Sequence, residues 1–213
     1  MERKNNKNKI PPKTTEDNAV ILDYLSLGYV KSDMSKFKGQ AIAQAIGTKY
    51  FTLLELAPKE GVDLEIQDTV YIGKGKRDKV HRVLGKLDFE NLTATSRIEL
   101  DYALRDIITS REEEFVDFFN NSGSVNTRLH QLELIPGIGK KYMWEIIEAR
   151  EREKFKSFED ISARVPSLSD PVGMLVNRVK QELDTTTVKK GKQKYYLFTP
   201  IPRNNQNRNQ RKK

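Results

Sequence analysis

The stretch LELIPGIGKKYMWEIIEARE, Leu132 to Glu151, decides how the chain is read. It places a proline, two glycines and two lysines directly before an amphipathic segment. Tyr142, Met143, Ile146, Ile147 and the stem of Arg150 fall on one face at helical spacing, and Trp144 falls well off it. The spacing predicts a helix from about Lys140 to Glu153. A chain that reverses just before a helix exposes the unpaired N–H groups of its first turn, and with the helix dipole these favour an anion. Gly137 and Gly139 permit positive φ and let a ligand atom come close to the backbone. Lys140 and Lys141 add charge beside it. A backbone phosphate of nucleic acid meets these requirements, and its capture would not read bases. The competing reading is a tight turn whose glycines serve packing alone.

Working outward, the pattern occurs twice. A short helix, NTRLHQLELI, is expected to start at Asn126 or Thr127 and lead into the glycine turn. Then Ser157 caps a short helix, FEDISARV, and VPSLS takes the place of IPGIG. Asp170 caps the last helix with Pro171 at its first position, and Val172, Leu175, Val176, Val179 and Leu183 form its apolar stripe. The second turn lacks the glycines and the lysines, because Ser167 and Ser169 stand at the glycine positions, so it is expected to be structural.

Before this region the apolar period is that of strands. AVILDYLSLG, AIAQAIG, YFTLLEL, DTVYIG and VHRVLGKLDF are five short β-rich segments between turns. They predict a small barrel of the OB kind over residues 18–92. Residues 93–123 then give two connecting helices. Leu100, Ala103, Leu104, Ile107 and Ile108 make the buried face of the first, and Ser110 with Glu113 reads as a capping box for the second. The turn repeat occupies 124–184. KQKYYLFTP reads as a strand packing back on the body within 185–200, and 1–17 and 201–213 read as disordered tails. The fold class expected is α+β, a β-barrel followed by an all-α domain.

The chain has 213 residues and a net charge of +8, with no cysteine and two histidines. Disulfides and thiolate metal sites are thereby excluded, and a zinc site is not expected. Nine basic residues and no acidic one lie between Val188 and Lys213, which leaves the rest of the chain near neutral. Such a stretch attracts polyanions; a tail that only aids solubility is the competing reading. No apolar run reaches membrane-spanning length and no signal-peptide pattern opens the sequence, so a cytoplasmic location without membrane contact is expected.

LELIPGIGKKYMWEIIEAR resembles the helix-hairpin-helix, and with FKSFEDISARV after it the tandem form found in DNA-uptake and repair proteins. The resemblance implies phosphate binding by the amides of Gly137, Gly139, Lys141 and Tyr142, with Ile138 and Lys140 in the same loop. It also implies that the carbonyls of Glu133, Ile135 and Ile138 can hold a monovalent cation. Taken in order, FTLLELAPKEG, VYIGKGKRDKV, FVDFFN, TRLHQLELIPGIGKK, FKSFEDISARV and YYLF resemble an archaeal family, domain-of-unknown-function family 655, described as nucleotide- or RNA-binding. The similarity runs from about Val20 to Phe198 and implies a barrel plus a helix-hairpin-helix domain, without a defined activity.

A second candidate surface is GKGKRDKVHR, which carries Lys74, Lys76, Arg77, Lys79 and Arg82 at a barrel loop, with Tyr71 just before it. Barrels of this kind bind single strands with such loops and with aromatic platforms. Its glycines lack the spacing of a Walker loop. Trp144 is read as an interdomain contact or a stacking ring, and His130 as a packed or capping residue. Asp160 lies where helix-hairpin-helix glycosylases place a catalytic acid, but its spacing from Ser157 gives it a capping role. The sequence therefore predicts a non-enzymatic nucleic-acid-binding protein, without cofactor or resident metal and with RNA weakly preferred over DNA. Ribosomal or transcription assemblies are its expected surroundings. The alternatives are an adaptor in assemblies on RNA or DNA, and a DNA-repair enzyme.

Overall fold

A computed structural model describes residues 15–29, 39–184 and 195–201. The fold is α+β: among the described residues, a curled five-stranded antiparallel sheet, open like half a barrel, with five α-helices. The strands are β1 (Asn18–Leu25), β2 (Ile42–Gly47), β3 (Leu53–Pro58), β4 (Thr69–Tyr71) and β5 (Val80–Lys86), in spatial order β4-β1-β2-β3-β5. All five lie where the β-rich segments predict them; among the described residues no ladder joins β4 to β5, so the expected OB-like barrel is present as a curled half-barrel sheet.

Alternation along the strands explains why both faces of the sheet are covered. Ala19, Ile21, Ala43, Ala45, Leu54 and Leu56 face the inside of the curl. Val20, Leu22, Ile46 and Leu53 point the other way and join the helical core. The helices are α1 (Ala94–Ser110), α2 (Glu112–Asn121), α3 (Lys140–Arg152), α4 (Phe158–Arg164) and α5 (Pro171–Leu183). Leu100, Ala103, Leu104, Ile107 and Ile108 are the buried face of α1, as their spacing predicts, and they share this one core with α2 to α5. Among the described residues, no helix is long and apolar enough to cross a membrane.

A polar cluster marks where α1 lands on the sheet. Gln44, fully buried on β2, donates to Asn91 O (3.0 Å) and accepts from Thr93 N (3.0 Å). Thr93 in turn caps α1 through Ser96 N and donates to Asp23 (2.6 Å). Tyr29 bridges Gln44 and Glu55, and its phenol is pushed well above the usual range, first by burial and then by the Glu55 carboxylate. The helix-facing side of the sheet thus carries a polar anchor that sets where the helical half begins.

Several sequence expectations give way to tertiary partners. The expected helix across 126–134 is a small hairpin, β6 (Ser124–Asn126) and β7 (Leu129–His130), followed by a 3₁₀ turn at Gln131–Leu134. The Asn126 side chain accepts from Arg128 N (2.9 Å), which closes a turn instead of starting a helix. Ser110 does not cap α2: its hydroxyl donates back to Ile107 O (2.9 Å), and the capping position is Arg111, which makes no side-chain cap bond. Residues 197–199 form bends, and 195–200 hold no strand; 1–14, 30–38, 185–194 and 202–213 lie outside the described residues. Within the tail expected at 1–17, Glu16 is buried, and its carboxylate accepts from the amides of Lys49, Tyr50 and Thr52 in the β2–β3 turn.

Candidate functional site

The two turns before α3 and α5 are built alike. In the first, Ile138 N donates to Ile135 O (3.1 Å); in the second, Leu168 N donates to Val165 O (2.9 Å). Ile135, Ile138, Val165 and Leu168 are all buried in the common core, so an apolar residue at each end of either turn anchors it. Pro136 and Pro166 occupy the same second position, where their fixed φ suits the bend. The turns then differ. Gly137 has φ +91°, the left-handed region that favours glycine, whereas Ser167 stays out of it and donates to Glu145 (2.6 Å) on α3.

The helix ends differ more. At α5 the Asp170 carboxylate accepts from Gly173 N (2.8 Å), and Arg105 of α1 pairs with it at 2.7 Å. That arginine is the main reason the Asp170 carboxyl is held below its usual range. The second N-terminus thus has its own anion and its own counter-charge. At α3 the capping position is Gly139, which has no side chain to offer, and there is no acidic residue in the first turn. The amides of Lys140, Lys141 and Tyr142 have no partner among the described residues. A Cβ built on Gly139 meets nothing within 4 Å. Lys140 and Lys141 are exposed, and Lys141 stands 3.9 Å from Glu145, a loose contact.

The expected loop residues therefore divide. Gly137, Gly139, Lys140, Lys141 and Tyr142 present an open edge of N–H groups with cations beside it. Ile138 cannot take part, because its side chain is buried and its amide closes the turn. Of the carbonyls expected around a monovalent cation, that of Ile135 already accepts the turn bond. The single tryptophan, Trp144, is 58% exposed one turn into α3; among the described residues the interdomain contact expected for it does not form.

The loop after β4 is more committed than its sequence suggests. Gly75 N donates to the Tyr71 phenol (3.1 Å), and Cβ atoms at Gly73 or Gly75 would crowd that ring, so the glycines serve the packing of Tyr71 under its own loop. Arg77 reaches back to Gly73 O (2.9 Å) and Lys79 pairs with Asp68. Lys74, Lys76 and Arg82 remain exposed without such bonds.

Other residues support the first turn. His130 Nδ1 accepts from Leu132 N (3.1 Å) and Glu133 returns the bond to His130 N (2.9 Å), a capping box that uses an imidazole. Burial, with Arg150 nearby, lowers the pKa of this histidine. Arg150 itself caps the end of α2 through Phe119 O and Ser122 O. Ser157 accepts from Asp160 N (3.1 Å), as the spacing predicts, but the Asp160 carboxylate does not return the bond to Ser157 N: it accepts from Lys156 N (3.0 Å) and pairs with Arg164. The sequence reading missed Arg178 and Glu182, a buried pair one turn apart on α5 at 2.8 Å. Arg178 also donates to Leu134 O (2.9 Å), just before the glycine turn, and to Tyr195 O. Glu182 accepts from the amides of Leu197, Phe198 and Thr199. Their four-residue spacing beside the stripe was the available signal.

Comparison with known proteins sets this architecture in a family. Residues 15–200 match the family described as a protein of unknown function, DUF655. The chain is 44% identical over 193 residues to the uncharacterized protein MJ0038 of Methanocaldococcus jannaschii, covering 90% of this chain and 82% of that one. The crystal structure of Af1531 from Archaeoglobus fulgidus is similar with a TM-score of 0.78 at 41% identity, over 87% of this chain and 100% of the other. With the match spanning both the sheet and the paired turns, the chain belongs to the DUF655 family.

Proposed function

We propose that this protein binds nucleic acid without catalysing a reaction, with RNA weakly preferred over DNA, and that it captures a backbone phosphate at the N-terminus of α3. The observation that carries the reading is the contrast between the two turns: α5 is closed by Asp170, whereas α3 offers free amides, a bare Gly139 and two lysines. On this reading the paired turns are a tandem helix-hairpin-helix in which the first unit binds and the second is structural. The sheet is then an OB-like barrel opened between β4 and β5, whose order would close into a ring if those edges joined. Lys74, Lys76 and Arg82 add backbone contacts from the sheet side. The protein would work in the cytoplasm, in ribosomal or transcription assemblies.

Gly139→Ala tests the clamp. The position has ordinary φ (−89°) and open space, so the variant keeps its fold while a methyl group enters the ligand's path. Affinity for a single-stranded RNA is expected to fall about tenfold or more, the scale of removing one or two hydrogen bonds to a charged group. The melting temperature should not move, and Ser169→Ala should change neither quantity. Equal affinity of Gly139→Ala and wild type across a salt series would sink phosphate capture. A second reading, an adaptor on RNA or DNA assemblies, draws on Ile98 and Tyr102, exposed one turn apart on α1. It predicts protein association that survives high salt.

A further inference from the structure

A cleft of about 320 Å³ adjoins the first turn, lined by Phe89, Pro136, Asn177, Lys180, Gln181 and Asp184. We infer that this cleft receives one unpaired nucleobase of the strand whose phosphate lies on the α3 N-terminus, so that the ligand is single-stranded. The inference rests on the phosphate reading of the glycine turn and adds a base site to it. Pro136 is the residue before Gly137, and the Cβ position of Gly137 lies 3.5 Å from Met174 Cε on α5. Met174, Asn177 and Gln181 follow one another along a single face of α5. The turn therefore covers the first part of that face, and the cleft continues along it. Pro136 belongs both to the glycine turn and to the cleft wall, which sets the cleft beside the proposed phosphate position.

The chemistry of the walls favours a flat ring with polar edges over an anion. Lys180 is already paired with Asp101 at 2.6 Å, and Asp184 brings negative charge, so the cleft has no spare cation for a phosphate. Phe89 supplies an aromatic wall whose ring carries the Arg97 guanidinium 5.2 Å from its centroid, and Pro136 supplies a second flat apolar wall. The side-chain amides of Asn177 and Gln181 have no hydrogen-bond partner among the described residues. Each sets a donor beside an acceptor, the complement of a base edge. Stacking on an aromatic ring with edge contacts from amides is how single strands are held when bases are splayed out. The same contacts are denied to a paired base inside a duplex.

The experiment compares a single-stranded ten-nucleotide oligomer with the same backbone made abasic throughout. Wild type is expected to bind the base-bearing strand 5- to 100-fold more tightly, roughly the range that one stacked base contributes. Asn177→Ala with Gln181→Ala changes two exposed side chains, and its melting temperature checks that the fold is kept. This double variant should bind the abasic strand as wild type does and show little of the preference for bases. Wild type that binds both strands equally, or a double variant that keeps the full preference, overturns the base site while leaving the clamp untouched. Failure of the clamp has a different signature, Gly139→Ala binding the abasic strand with unchanged affinity.

Discussion

At the scale of the residue, His130 is a cap that depends on its protonation state. Its Nδ1 accepts from Leu132 N, which only the neutral ring can do. Burial and then the charge of Arg150 lower its pKa in the folded protein from 6.5, with Glu133 opposing. The unfolded chain therefore takes up the proton first as pH falls. The cap's contribution is complete above pH 6.5 and is lost as pH drops from 6.5 through the lower folded value. His130→Asn keeps an oxygen that can cap and removes the titration, so its stability should be flat over the acid interval in which wild type weakens. Denaturant midpoints measured from pH 7.5 down to pH 5 decide this, and parallel curves for the two proteins would refute it. Trp144 gives a second single-residue test. As the lone tryptophan, exposed one turn from the α3 amides, it should report a strand at the first turn by a change in fluorescence. That signal should be clearly smaller in Gly139→Ala at concentrations that just saturate wild type, and its titration should shift to higher strand concentration by the same factor as the affinity. Gly137→Ala is a poorer probe, because φ of +91° strains any side chain by roughly 1 to 2 kcal/mol whether or not a ligand binds.

At the scale of the element, Arg178 and Glu182 make α5 a staple between the first turn and the chain's return. Arg178 holds Leu134 O on one side and Tyr195 O on the other, while Glu182 holds three successive amides and the Thr199 hydroxyl. Phe198 then packs against Phe115 and Phe118, with ring centroids 5.3 and 5.1 Å apart. Glu182→Gln leaves the guanidinium buried without its counter-charge, which costs about 3 to 5 kcal/mol for pairs of this kind. It should also open 195–199 to limited proteolysis, and a variant that resisted cleavage with an unchanged melting temperature would contradict the staple. This element shows what a sequence can and cannot convey. The caps of Ser157 and Asp170 were legible because their partners lie three residues away, and the α1 stripe because helical period is local. The five strands were legible from alternation. The open edge between β4 and β5 was not, because pairing depends on contacts far apart in the chain. The role of Glu182 depends on amides 15 to 17 residues away, which no local pattern encodes. The glycine turn was legible as a bare helix start, but the closure of its twin by Arg105, 65 residues from Asp170, needed the fold.

At the scale of the whole molecule, charge and fold are separable along the chain. The excess of positive charge lies beyond Val188, and five of those charges follow Pro200. Among the described residues, the last bonds that tie this end of the chain down are those of Leu197–Thr199 to Glu182. Two truncations therefore have opposite expected outcomes. Ending the chain after Pro200 keeps every bond to Glu182 and the Phe198 packing, so the melting temperature should stay within a degree or so of wild type. Ending it after Asp184 strips three amides from a buried carboxylate and uncovers Phe115 and Phe118. That truncation should destabilise by several kcal/mol, the scale of a buried charge left without its hydrogen bonds. Binding should separate in another way. The five charges after Pro200 add general attraction for a polyanion, so their removal should weaken binding by a similar factor for any sequence, and more at low salt than at high. Each phosphate that is no longer neutralised should lower the log–log salt slope by about 0.7 to 0.9. Preference between two unrelated RNAs should survive, because preference needs placed contacts. Both truncations would be titrated against the two RNAs across a salt series, with thermal melts run in parallel. If removal of 201–213 alone lowers the melting temperature as far as removal of 185–213, the fastening is not at Glu182. If it abolishes the preference between the RNAs, those residues make placed contacts of their own.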